Sequence, residues 1–242
     1  MLNVIRDWLV RYAKQGVIHN DERMLNLCEP YPGAVVIDLG CGDGTLTARV
    51  GEKVEAAKLI GIDIAPENLA MLVDKGIEAK QADLNQKIPV DDESVNIIIA
   101  NQVIEHVCDT DMFVQEMFRI LKRGGYAIVA TPNLAAWYNV LMLILGQQPP
   151  STNVSDIAPL GLMARRVWAG RYIGGVGHKI SNKHRRVFVR STIVGLLEYY
   201  GFRCEKLVMS GFPPLPWFAV DLACRLLPIY AWNIIIKARK PG

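Results

Sequence analysis

The chain has little that would commit it to a disulfide scaffold, a membrane span or a nucleic-acid surface. Its 242 residues include five cysteines, at 28, 41, 108, 204 and 224, with no C-x-x-C pair among them. An odd, scattered set fits reduced thiols better than a disulfide framework or a cysteine zinc site. No uncharged run approaches the ~20 residues that cross a bilayer. Residues 207–220 are broken by three prolines, and the apolar run 226–236 is short. Arg6, Asp7 and Arg11 interrupt the first apolar pattern, so no secretory leader is expected and a cytoplasmic location is. A net charge of only +3 disfavours nucleic acid as a partner. There is no internal repeat and no low-complexity tract. With 51% hydrophobic and 21% charged residues, the chain can bury the core of one α/β domain with insertions.

The clearest positive pattern is AVVIDLGCGDGTLT, residues 34–47. Val35, Val36, Ile37 and Leu39 surround one carboxylate, Asp38, which predicts a strand buried on both faces. Gly40, Gly42 and Gly44 follow, and a helix is expected from about residue 45. Glycines permit a tight turn and close approach of a ligand. The helix start turns free N–H groups and a partial positive charge toward the same space. A nucleotide- or carboxylate-binding crevice is predicted there.

Strand-compatible segments recur at 58–64, 77–82, 95–100 and 126–131, with helices expected at 66–75 and from Asp109 or Asp111 to about 121. Lys122 and Arg123 suit the end of that last helix, and Gly124-Gly125 should stop it. This alternation predicts an α/β, Rossmann-like, doubly wound and mostly parallel sheet with helices on both faces. Residues 2–14 and 21–28 read as two preceding helices, Asn20 capping the second. After Pro132 the rhythm breaks. A helix from Ser191 to Tyr200, strands at 202–209 and 231–238, and an apolar Pro-rich segment at 212–230 complete seven strands. The expected organisation is N-terminal helices (1–33), a binding core (34–132), an inserted cap (133–186) and a C-terminal completion of the sheet (187–242).

The ligand can be narrowed. Asp63 lies 19 residues after Gly44, close to the ~20-residue spacing at which an acid accepts hydrogen bonds from ribose hydroxyls. A dinucleotide turn would place a third glycine where Thr45 stands, and no G-x-x-x-x-G-K-[ST] occurs. Asp38 and Asp43 flank the turn, poor company for a pyrophosphate and good company for an ammonium or sulfonium. A nucleoside with a free diol, a cationic amino-acid tail and no phosphate is S-adenosylmethionine (SAM), whose demethylated product is S-adenosylhomocysteine.

VIDLGCGDGTLT, GIDIAPENL, QADLNQKIPVDDESVNIIIANQVIEHV and LKRGGYAIVATPN together resemble the successive motifs of class I SAM-dependent methyltransferases. More narrowly they are similar to the small-molecule, type 11 and quinone-biosynthesis branch, over about residues 34–132. The resemblance implies that Gly40, Cys41 and Gly42 line the methionine part and that Asp38 orients its ammonium. Asp63 would hold the ribose. Ile64 and Leu84 would sandwich the adenine, with Asp83 accepting from its amine. Asn101 and Gln102 would face the sulfonium. Cys41 reads as a small filler rather than a nucleophile.

Methyl transfer leaves a neutral thioether, so geometry and a dry site can carry most of the rate. A hydroxyl acceptor additionally needs a base. His106, just after the fourth strand, is the candidate, with a locally bonded helix-start histidine as its competing reading. His178, Lys179 and His184 are candidates for touching the acceptor, against the reading of solvated lid residues. No Asn-Pro-Pro-aromatic motif, Pro-Cys nucleophile or catechol-type magnesium cluster is present, and no metal is expected. Residues 165–190 hold eight Lys/Arg, two His and no acid, which favours an acceptor with an anionic or polar group. The apolar stretches 134–145 and 212–230 favour an apolar body, such as a quinone precursor, lipid or glycolipid, with O-methylation preferred. Peripheral membrane contact through those stretches is a further expectation, and the oligomeric state stays open. Two rivals remain: an NAD(P)-dependent oxidoreductase, disfavoured by Thr45, and a non-catalytic SAM-fold binding protein.

Overall fold

The computed structural model describes residues 2–152, 165–167, 171–173 and 184–242. In chain order the elements are α1 (Leu2–Leu25), β1 (Val35–Leu39), α2 (Thr45–Val54), β2 (Lys58–Asp63), α3 (Pro66–Ala70), β3 (Glu78–Gln81), β4 (Val95–Asn101), α4 (Thr110–Ile120) and β5 (Leu121–Pro132). Then come α5 (Trp137–Ile144), β6 (Arg165–Val167), β7 (Arg171–Ile173), α6 (Arg190–Tyr199), β8 (Arg203–Ser210), α7 (Trp217–Leu226) and β9 (Asn233–Arg239). Seven strands form one sheet in the order β3-β2-β1-β4-β5-β9-β8, while β6 and β7 pair separately. Neighbours from β3 to β5 are parallel, and β9 runs antiparallel to both β5 and β8.

Period-two patterning divides the core. Ile37, Leu39, Ile98 and Val129 face one layer, and Val36, Ile97, Ile99 and Ile128 face the other. Strands covered on both sides need apolar residues at every position, which explains the uninterrupted runs. From β1 the chain leaves toward β2 on one side, and β4 lies on the other. The strand order therefore switches at β1/β4, and the crevice of a doubly wound sheet opens at the carboxyl ends there.

Several local expectations are corrected. Residues 2–25 form one helix, not two. Tyr12, Gly16, Asn20 and Met24, spaced by four, make a buried stripe, so packing overrides the helix-breaking tendency of Gly16. Asn20 is an interior residue of that stripe and caps nothing. The segment 66–75 divides into α3 and a 3₁₀ turn at Val73–Lys75. Helix α4 starts as read, with Asp109 accepting from the Met112 N–H at 2.9 Å, but it ends at Ile120, leaving Lys122 and Arg123 in β5. Its final carbonyls are served instead by Lys240, whose Nζ donates to Phe118 O (2.9 Å) and Leu121 O (2.8 Å). Ser191 sits inside the first turn of α6, where Thr192 Oγ1 accepts from the Val189 N–H at 3.2 Å. The 212–230 segment contains α7, and the region after Pro132, where the strand–helix alternation breaks, contains the β6–β7 ribbon.

Candidate functional site

The glycine turn is fastened to the strand beside it. The N–H groups of Gly40 and Cys41 both donate to Ile62 O, at 2.7 and 3.0 Å. Gly40, Gly42 and Gly44 all adopt the left-handed region, with φ of 75°, 53° and 73°, which residues with a Cβ enter only at a cost. Asp63, ending β2, reaches back with both oxygens: Oδ2 accepts from the Gly42 N–H (3.0 Å) and Oδ1 from the Ala65 N–H (2.9 Å). A carboxylate has about four acceptor sites, so half of its capacity stays open. Asp43 accepts from Thr45 N–H and Thr45 Oγ1 at 2.9 Å each, closing the first turn of α2. The Thr45 N–H holds its carboxyl below the usual range.

Asp38 is fully buried. Its Oδ2 accepts from Thr47 Oγ1 at 2.6 Å, and Oδ1 has no protein partner. Burial pushes its carboxyl up to about 7, with the Thr47 hydroxyl pulling down and Asp21 and Asp63 adding repulsion. An orphaned acceptor among three carboxylates is what a cationic ligand group would satisfy. The raised value has a testable sign. Between the unfolded carboxyl's pKa of about 3.9 and about 7, the folded protein holds a proton that the unfolded chain has lost. Stability of the ligand-free protein should therefore fall as pH rises through that window and level off above it. Melting curves at pH 5, 6 and 7.5 should show Asp38→Asn gaining on the parent by about 1–3 kcal/mol across the series. A constant difference would refute the raised value.

Asn20 and Asp21 are site residues that the sequence reading missed, because the helix carrying them was divided at that point. Asn101 Oδ1 accepts from Asn20 Nδ2 at 3.0 Å, and Asn101 Nδ2 donates to Asp21 Oδ1 at 3.1 Å. Asn101, expected to face the ligand, is thus spent on holding α1 across the strand ends. Gln102 has φ 58°, its N–H donating to Ala130 O at 2.8 Å and its Nε2 buried without a protein partner. Ile64 is 63% exposed, free to cover a flat ring. Leu84 is partly buried against the main core. Asp83 Oδ1 is taken by Asn85, from its N–H (2.9 Å) and its Nδ2 (2.8 Å), so only part of that carboxylate faces outward. Cys41 is buried beside Leu72 and Ile77. Burial pushes its thiol up to about 12, which disfavours the thiolate that a nucleophile would need.

A second group gathers at the ends of β4 and β5. Glu105 is fully buried, with Oε2 accepting from Thr131 Oγ1 at 2.9 Å and Oε1 unbonded, 3.9 Å from His106 Nε2. Burial pushes its carboxyl up to about 7. The His106 and His184 rings lie 5.1 Å apart, and His184 Nδ1 is 2.8 Å from Ser151 O. Burial holds the His184 imidazole below its ordinary value. The structure thus brings two of the sequence-derived histidines together and adds Glu105, which was not singled out. His178 and Lys179 lie outside the described residues.

A family model described as a methyltransferase domain matches residues 31–156, just over half of the chain. The mitochondrial ubiquinone biosynthesis O-methyltransferase of Rattus norvegicus is 29% identical over 142 residues, which are 55% of this chain and 39% of that protein. The ubiquinone biosynthesis O-methyltransferase of Chelativorans sp. (strain BNC1) is 31% identical over 126 residues, 50% of this chain and 49% of that one. The chain therefore spans less than half the length of either relative. An S-adenosylmethionine dependent methyltransferase from Mesorhizobium loti superposes with a TM-score of 0.59 at 19% identity, over 90% of this chain and 96% of that structure, a likeness of fold.

Proposed function

The chain belongs to the class I SAM-dependent methyltransferases, and from that membership we propose that it methylates an oxygen of a small acceptor carrying an apolar body and a polar or anionic group. The observation that carries the donor half is Asp38 Oδ1, buried without a protein partner beside Asp63 and Asp21 under a glycine turn. Cationic ligand groups satisfy such an atom; phosphates repel it. SAM, when bound, supplies a methyl group on sulfonium and leaves as a neutral thioether. In this reading Asp38 holds the ammonium and the open acceptor sites of Asp63 take the ribose hydroxyls. Ile64 covers the adenine, and Gln102 Nε2 gains a partner.

Support for the acceptor half comes from two directions. Two of the similar proteins named above are O-methyltransferases of ubiquinone biosynthesis. The chain also presents exposed apolar side chains: Leu143, Ile144 and Leu145 at the end of α5, and Phe218, Leu222 and Leu226 along one face of α7 are all more than half exposed. No helix among the described residues is long and apolar enough to cross a membrane.

Calorimetry with SAM, S-adenosylhomocysteine and NAD, followed by turnover assays, tests the proposal. The nucleosides should bind and NAD should not. Homocysteine-nucleoside release should then require a phenol or catechol with an apolar tail. Binding of NAD without a response to SAM would overturn the donor assignment. Turnover with amines and none with hydroxyl compounds would overturn the oxygen.

A further inference from the structure

We propose that Asn20, on α1, is a recognition residue of the donor site, whose side-chain oxygen accepts from the ammonium of the nucleoside's amino-acid tail. It would do so alongside Asp38 Oδ1. The identity of the ligand rests on the donor reading above; the orphaned amide oxygen of Asn20 does not.

The orientation of Asn20 is forced by its neighbours. An ionised carboxylate only accepts, so Asn101 turns its Nδ2 toward Asp21 Oδ1, at 3.1 Å. Asn101 Oδ1 then faces α1 and takes Asn20 Nδ2 at 3.0 Å. The same Asn20 nitrogen lies 3.7 Å from Met24 Sδ. What remains is Asn20 Oδ1, in a residue only 4% exposed, with no hydrogen-bond partner. Reversing the amide would bring no relief, because its oxygen would then meet Asn101 Oδ1. A buried acceptor in this state costs free energy until a donor reaches it.

The fold sets this oxygen on the Asp38 side of the sheet. Asp38 pairs with Ile99 of β4, and side chains alternate along a strand, so Asn101 emerges on the same face as Asp38. That face is the one α1 covers, with Met24 and Leu25 packed among Val36, Ile97 and Ile99. Asp21, next to Asn20, is near enough for its charge to act on Asp38. Two orphaned acceptors, one on α1 and one on β1, thus border the same strand ends. An ammonium offers three N–H donors, whereas an ionised phosphate or carboxylate offers acceptors alone. Other contacts hold α1 in place: Glu22 accepts from Arg49 of α2, and Arg23 and His19 meet Asp221 of α7. Asn20 is therefore already ordered, and little need be lost in fixing it when the ligand arrives.

Calorimetry on the full chain tests this with two nucleosides: S-adenosylhomocysteine and its deaminated analogue, which carries a carboxypropyl chain in place of aminocarboxypropyl. The parent should prefer S-adenosylhomocysteine by at least about tenfold, the scale of a charge-assisted hydrogen bond. Asn20→Ala should weaken S-adenosylhomocysteine at least about fivefold and the deaminated analogue less than about twofold. Asp21→Ala, at a partly exposed residue, removes the carboxylate that orients Asn101. It should reduce the same preference at least about threefold, and it supplies the readout if Asn20→Ala does not fold. A merely structural amide would weaken both nucleosides alike or neither, and either result in the folded variants would overturn the assignment. A parent that binds the two nucleosides equally would overturn it too, with the donor reading intact. A parent that binds neither would overturn the donor reading itself, and the role of Asn20 with it.

Discussion

Asp63→Ala should raise the dissociation constant for S-adenosylhomocysteine by about 30–100-fold, or ~2–3 kcal/mol, while the protein still folds. The carboxylate has two tasks. It receives the Gly42 and Ala65 N–H groups at 3.0 and 2.9 Å, and its remaining acceptor sites are proposed to take the ribose hydroxyls. Alanine removes both sets at once. The turn then loses two charge-assisted bonds, which should also cost about 1–3 kcal/mol of stability, visible in thermal melts without ligand. Asp83→Ala makes the comparison, because one of its oxygens is already held by Asn85. Its expected effect on affinity is about fivefold, the scale of one hydrogen bond. A folded Asp63→Ala protein that binds within threefold of the parent would show that the ribose lies elsewhere.

Features whose causes are neighbours in sequence were legible without coordinates. The buried strand, the glycine turn and the start of α2 all lie within residues 34–47, so each local choice supports the next. Asp109 as the cap of α4 and Pro66 opening α3 were readable for the same reason. The misreadings share a different cause, namely partners far along the chain. Asn20 looks like helix punctuation, yet α1 continues because its stripe packs on the sheet and Asn20 meets Asn101. Lys122 and Arg123 looked like the end of α4, but Lys240 from the far C-terminus does that work. The same distance hid the Glu105, His106 and His184 group, since periodicity says nothing about which loops meet. Cofactor residues on one continuous turn are therefore easier to read than acceptor residues assembled from separate crossovers.

The glycines of that turn are not equivalent, and two substitutions separate their roles. A Cβ on Gly44 would collide with Leu72 Cδ2 and lie 2.9 Å from Ile77 Cδ1, in a backbone already at φ 73°. Left-handed strain of roughly 1–2 kcal/mol and overpacking of about 1–3 kcal/mol should make Gly44→Ala about 2–4 kcal/mol less stable. For a chain of this size that is a melting decrease of about 5–15 °C. Gly42, at φ 53°, has nothing within 4 Å of its would-be Cβ, so Gly42→Ala should lose only about 1 kcal/mol, or roughly 2–4 °C. The added methyl group would instead enter the space into which the turn opens. Nucleoside affinity should then drop at least about tenfold, because a backbone–ligand approach no longer closes. Melting curves and calorimetry on both variants give the contrast directly: stability lost with Gly44, affinity lost with Gly42. If Gly42→Ala binds S-adenosylhomocysteine within twofold of the parent, the ligand does not lie against this turn, and Gly42 is there only for the chain reversal.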